Sequence, residues 1–178
     1  PEEVDRLGEG SVQIEATQTD GVGNLHAGGA ATSSFVIDTI DPEVTIADDQ
    51  SGIAFDGANT VTYTLSFSEA VQSVTEGDLT VTGAESYTVA HDADTATATV
   101  TVTVSDDSME NVSITVNDSI IDIAGNPLIE AVDNLQTVDT VNPSTVGAPA
   151  VSDVLVTDAD DATTLTVSFS FDEAMDQG

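Results

Sequence analysis

Hydrophobic and polar residues alternate along much of this chain. Over 60–67, Val61, Tyr63, Leu65 and Phe67 fall on one side, with Thr60, Thr62, Thr64 and Ser66 on the other. A period of two is that of a strand with one buried face. Over 95–104, Ala96, Ala98, Val100, Val102 and Val104 alternate with five threonines. Val112, Ile114 and Val116 mark a third strand, and Val44 and Ile46, just after Pro42, a fourth. Leu79 with Val81, Tyr87 with Val89, and the segment around Leu135 supply three more. No window shows a helical period. The predicted strands are 43–47, 59–67, 78–82, 85–90, 95–104, 111–116 and 133–138. Short strands separated by Asp, Gly, Asn and Ser turns predict an all-β sandwich.

The chain also repeats itself. Asp38-Thr39-Ile40-Asp41-Pro42 matches Asp139-Thr140-Val141-Asn142-Pro143 at an offset of 101 residues. Val12-Gln13-Ile14 matches Val112-Ser113-Ile114, and Asp20-Gly21-Val22-Gly23-Asn24 matches Asp122-Ile123-Ala124-Gly125-Asn126. Phe67-Ser68-Glu69-Ala70 matches Phe171-Asp172-Glu173-Ala174, and Leu165, Val167, Phe169 and Phe171 repeat the alternation that precedes it. Four matches in one order predict a cut from a tandem array. Residues 1–38 are read as the last strands of one repeat, 39–140 as a whole repeat and 141–178 as the first strands of a third. The opening Pro1-Glu2-Glu3 shows no secretory leader, so the chain is expected to begin inside a domain. A partial repeat leaves sheet edges bare unless something pairs with them. A neighbouring domain, packing or strand exchange between chains could supply that pairing.

Composition narrows the function. The 178 residues hold 33 Asp plus Glu and a single Lys or Arg, for a net charge of −32. Nucleic acid needs cationic side chains to displace phosphate counterions, and anionic membrane surfaces need them too. Neither partner fits. No apolar run approaches the roughly 18 residues of a membrane helix. Cysteine is absent, which removes disulfides and thiol chemistry. Such charge with only 4% aromatics suits disorder, but the patterned 39% of hydrophobic residues argues for a thin aliphatic core. A chain this acidic suits a salty or divalent-rich medium.

The segments ATQTDGVGN and ATSSFVIDTIDPEVTI, then FSEAV, GDLTVTGA and DIAGNPL, resemble the bacterial Ig-like repeats of giant secreted adhesins. RTX-type and biofilm-associated surface proteins carry such repeats. The likeness covers the whole chain. It implies an immunoglobulin-like β-sandwich, so the expected architecture is one complete repeat flanked by two partial ones. It also implies export to the bacterial cell surface and Ca2+ ions that rigidify the linkers. The partners it implies are the neighbouring repeats of the same chain, with the surface receptor open. Asn142 departs from the pattern, standing where the first linker has Asp41, so the second junction is expected to hold its ion more weakly.

Antiparallel order sorts the acidic residues to the two ends of the sandwich. The leading end collects Asp41, Glu69, Asp118 and Asp122, with Asp38 approaching from the preceding repeat. The trailing end collects Asp48, Asp49, Asp106, Asp107 and Asp139, with Glu173 arriving from the next repeat. Carboxylates crowded at a junction repel unless a cation sits among them. Calcium accepts roughly 6 to 8 oxygens in flexible geometry, whereas magnesium demands a tighter octahedron. Asp in a turn more often caps its own backbone, the preferred reading for Asp48, Asp49, Asp92, Asp94, Asp106 and Asp107. Recurrence favours ligation for Asp38, Asp41, Glu69 and Asp122. Asp139, Asn142 and Glu173 form the corresponding second set, whose equivalent of Asp122 falls beyond residue 178. Gly125 and Asn126 are read as turn formers.

Catalysis finds no foothold. The acidic residues lie mainly in turns, His26 and His91 sit in different repeats, and no nucleophile–base pair can be proposed. Asp158-Ala159-Asp160-Asp161 opens like an EF-hand loop, but Thr163 stands where that loop needs Gly. The expected function is a calcium-stiffened extender of a surface adhesin. The alternatives are a glycan- or protein-binding module, and a laterally associating surface-layer or sheath protein.

Overall fold

The computed structural model describes residues 7–55, 57, 59–129, 132–160 and 164–175. The opening Pro1-Glu2-Glu3, and Asp161 and Thr163 of the EF-hand-like segment, lie outside them. The elements are β1 (Gly10–Ala16), β2 (Ala31–Ile37), β3 (Val44–Asp48), β4 (Ala54–Phe55), β5 (Thr60–Val71), β6 (Leu79–Thr82), β7 (Ser86–His91), β8 (Thr95–Thr103), β9 (Val112–Val116), β10 (Val132–Gln136), β11 (Val138–Asp139), β12 (Ala150–Val151) and β13 (Val167–Ser168). The protein is all-β, as the alternation predicts.

The central repeat is a two-sheet sandwich. One sheet runs β3-β5-β8-β7 and the other β10-β9-β6. That division of seven strands is the constant-type immunoglobulin arrangement. The alternating positions make the core. Val61, Tyr63 and Leu65 of β5 and Val100 and Val102 of β8 are fully buried. They belong to one cluster with Val112, Ile114 and Val116 of β9. Each such side chain contributes roughly 1.5–3 kcal/mol when fully buried. The opposite positions of the first sheet carry Thr62, Thr64, Ser66, Thr97, Thr99 and Thr101, paired across β5 and β8.

Two features depart from plain alternation, and both position the junctions. The register of β5 on β8 shifts between Ser66 and Val71. A bulge re-aims the side chains it carries, and this one carries Glu69. The second feature is β4, absent from the predicted strands. It pairs in parallel with β11, Ala54 opposite Val138 and Asp139 opposite Phe55. The first edge of the sandwich is therefore split, β3 joining β5 in the four-stranded sheet and β4 forming a two-stranded sheet with β11.

The flanks reproduce pieces of this sandwich. β1 and β2 form an antiparallel hairpin from Gly10↔Ile37 to Ala16↔Ala31. At the repeat offset they correspond to β9 and the β10–β11 segment. β12 and β13 pair antiparallel, and Thr145 bridges Phe171 as Val44 pairs with Phe67. Ser144 N–H donates to Asp172 Oδ1 at 2.8 Å, as Glu43 N–H donates to Ser68 Oγ at 3.0 Å. Both flanks expose large apolar side chains, among them Ile14 and Val36 on one and Phe169 and Val167 on the other.

Candidate metal centre at the first junction

Three carboxylates converge where the first linker meets the central sandwich. Asp38 follows β2, Glu69 lies in the bulge of β5, and Asp122 lies in the loop after β9. One oxygen from each lies within 4.8 Å of the other two. Asp122 is buried, and Asp38 and Glu69 are half-buried.

Local hydrogen bonds fix Asp122 and the linker at Asp38. Asp122 Oδ1 accepts the N–H groups of Gly125 at 2.6 Å and Asn126 at 2.8 Å, and Oδ2 accepts Asn126 Nδ2–H at 2.7 Å. Gly125 takes φ +101°, which closes the turn without a Cβ conflict. Asp20 and Asn24 make the same staple in the preceding hairpin, at 2.8 Å for both the backbone and the side-chain bond. Asn126 also donates through Nδ2 to the Asp38 carbonyl at 3.2 Å, which ties the linker to the loop. Asp38 Oδ1 accepts Ile40 N–H at 3.3 Å. The loops themselves are joined by a bridge between Val71 and Asp122 and by Gln72 N–H donating to the Ile121 carbonyl at 3.0 Å.

The electrostatics of the trio are unbalanced. Glu69 holds its proton more tightly than an ordinary glutamate. Burial is the first cause, and the charges of Asp38, Asp122, Asp41 and Glu9 follow. Asp122 goes the other way. Burial opposes its charge, but the bonds from Asn126, Gly125 and Ala124 outweigh it and keep its pKa below the usual range. Asp122 is therefore a fixed anion, and Glu69 is an anion that its neighbours resist. Each carboxylate oxygen has two acceptor sites, so the staple leaves Asp122 able to ligate.

The other expected ligands stand apart from the trio. Asp41 is exposed and reaches Glu69 only through its charge. Asp118 is exposed in the turn after β9. At the second junction Asp139 accepts Val141 N–H at 3.2 Å, the turn Asp38 makes with Ile40. Asn142 and Glu173 are exposed there. Among the described residues only the first junction gathers three acidic or histidine ligands.

Turn roles account for several remaining aspartates. Asp49 Oδ1 accepts Thr62 N–H and Gln50 Nε2–H, both at 2.9 Å, and Asp48 Oδ1 accepts Gln50 N–H at 3.0 Å. Asp94 and Asp107 take left-handed backbone, with φ of 61° and 52°. Asp160 folds back on Thr157, whose N–H and hydroxyl both donate to Oδ2 at 2.8 Å. Thr75 and Asp78 make the same pair, so Asp158 and Asp160 sit in a 3-10 turn of ordinary design.

The residue patterns also leave two anchors unannounced. Glu9 accepts the N–H of Thr39 at 3.1 Å and also the Thr39 hydroxyl. Thr140, one repeat on, is buried, donating to the Ser105 carbonyl at 2.7 Å while Ser108 N–H donates to its Oγ1 at 2.9 Å. Both threonines dock the linker on the repeat just ended. The recurring D-T pair is the available signal, but neither partner lies near it in sequence.

A family model described as a bacterial Ig-like domain matches residues 38–142. No curated protein and no solved structure gives a significant match.

Proposed function

Because the chain belongs to the bacterial Ig-like domain family, we propose that it is a calcium-stiffened extender segment of a large adhesin on the bacterial cell surface. Domains of this family are often extracellular surface modules and typically non-catalytic, and no helix among the described residues is long and apolar enough to cross a membrane. The observation that carries the calcium reading is the Asp38–Glu69–Asp122 trio. It joins a linker residue to two loops of the next sandwich. Calcium there would offset the repulsion that Glu69 experiences, using hard oxygen donors suited to it. Its binding free energy would also stabilise the folded junction. The threonine seats and buried Pro42 hold the linkers by other means, so the ion tightens a joint that is already docked.

The test is a thermal melt of the chain in calcium, in magnesium and in excess EDTA, with small-angle scattering under the same conditions. A calcium-specific rise in melting temperature and a longer particle are expected. Identical curves in calcium and EDTA would reduce the trio to a strained acidic turn. Loss of the rise in Glu69→Gln would locate the ion at this site.

A further inference from the structure

The linker pair Asp38-Thr39 is gripped from both sides. From the next repeat, Asn126 Nδ2 donates to the Asp38 carbonyl at 3.2 Å. From the preceding repeat, Glu9 takes hold of Thr39. Its Oε2 accepts the backbone N–H at 3.1 Å, and its Oε1 accepts the hydroxyl. The neighbours of Glu9 place it for this. Gly8 and Gly10 have φ of +75° and +103°, so the chain turns at Glu9 as it enters β1. Gly10 pairs with Ile37, the residue before Asp38.

Glu9 also acts at a distance. After burial, and after the charges of Asp38, Asp122 and Asp41, its charge is one of those that resist ionisation of Glu69. Glu69 stands on β5 of the next repeat, so the field of a side chain from one repeat reaches a candidate ligand of the other. The second junction is built differently. Thr140 is seated by the Ser105 carbonyl and by Ser108, with no carboxylate on it. Among the described residues, the carboxylate grip on a linker threonine and the gathering of three acidic ligands occur at the same junction.

We propose, on the footing that the trio holds calcium, that Glu9 is a positioning residue for that ion, through which docking of the preceding repeat sets calcium affinity. Its two bonds to Thr39 hold the backbone one residue past Asp38, and so limit where the Asp38 carboxylate can reach. Its charge adds to the field that draws a divalent ion. Coupling of this kind is reciprocal. Docking raises calcium affinity, and calcium tightens docking by the same factor. A preceding repeat pulled out of line would lose the Glu9 grip, and the joint would hold its ion less firmly.

The test is calorimetric calcium titration of the 178-residue chain at about 0.15 M salt, in wild type, Glu9→Ala, Thr39→Val and the double variant. Binding that disappears in Glu69→Gln reports this junction. Glu9 and Thr39 are exposed, so the central sandwich should melt in EDTA as wild type does in every variant. Glu9→Ala should weaken calcium binding by about threefold to tenfold, the weight of one surface charge on a divalent ion. Thr39→Val keeps the charge and loses one bond, and should weaken it too. The double variant should bind as Glu9→Ala alone does, because the two residues act as one pair. Either single variant binding as wild type does, or losses that simply add, overturns the proposal and leaves the calcium reading standing. Wild type that takes up no calcium overturns that reading and the proposal with it. A metal-free measurement checks the grip itself. The chain has no cysteine, so spin labels on Ser34→Cys and Thr97→Cys read the spread of distances between the repeats. In EDTA that spread should be wider in Glu9→Ala than in wild type, and equal spreads overturn the proposal.

Discussion

Asp122 and Glu69 share a site but carry opposite energetic signs. Asp122 satisfies two backbone donors and one side-chain donor, so Asp122→Ala should cost about 1–3 kcal/mol even in EDTA, read by denaturant melts. Glu69→Gln removes a charge that its neighbours oppose, and should raise the melting temperature in EDTA. Acidification should reveal both. The Glu69 pKa is raised in the folded state, so its penalty is relieved as pH falls through that value. The pKa values of Asp122, Asp49 and Asp78 are lowered, so their stabilisation is complete above the unfolded value and lost as pH falls through the folded one. Metal-free stability should therefore rise on mild acidification and fall below about pH 4; a monotonic fall from neutrality would contradict this. Tyr63 offers another residue-scale test. Its hydroxyl is buried without a partner, and burial, then the charges of Asp48 and Asp49, push its pKa up to about 12. Tyr63→Phe removes an unmet polar atom and should melt at or above wild type.

At the scale of the element, one-sided burial makes alternation readable. β5, β8 and β9 bury every second residue, so their sequences state both their type and their inward face. β4 is two residues long and pairs in parallel with β11 from 84 positions away, so no local period marks it. The bulge in β5 is equally silent: the alternation predicts a strand that ends at 67 with Glu69 in the loop beyond it, yet β5 runs on to Val71 past the shift in register. The candidate site divides the same way. Recurrence singled out Asp38, Glu69 and Asp122, but recurrence alone treated Asp41 as their equal, and only loop geometry separates it. Turns have their own strict demands. Gly83, between β6 and β7, has φ +72°, and an added Cβ would lie 2.1 Å from the Asn111 carbonyl oxygen. Gly83→Ala should therefore lower the melting temperature by well over about 5 °C, the shift expected for roughly 1 kcal/mol in a domain of this size. A calorimetric scan would read it.

At the scale of the molecule, most of the acidic residues lie in turns and loops, and the threonine positions of β5 and β8 stay uncharged. A polyanion of this kind is held open by its own repulsion when salt is low. Raising sodium chloride from about 10 mM to 0.5 M, where screening lengths fall from roughly 30 Å to a few ångströms, should raise the melting temperature in EDTA. The same change in calcium should raise it less; equal increments would show that the ion and the salt act on different charges.

The parallel pairing of β4 with β11 has a mechanical consequence. The two strands lie near opposite ends of the repeat's sequence yet run side by side in the same direction. A tether pulled from both sides would draw Ala54–Phe55 towards one end and Val138–Asp139 towards the other, along their common axis. Their hydrogen bonds, and those of β3 with β5, would then bear the load together in shear instead of parting one after another. Each repeat would act as a clasp loaded in shear, and the force needed to open it would be set by the first edge of the sandwich.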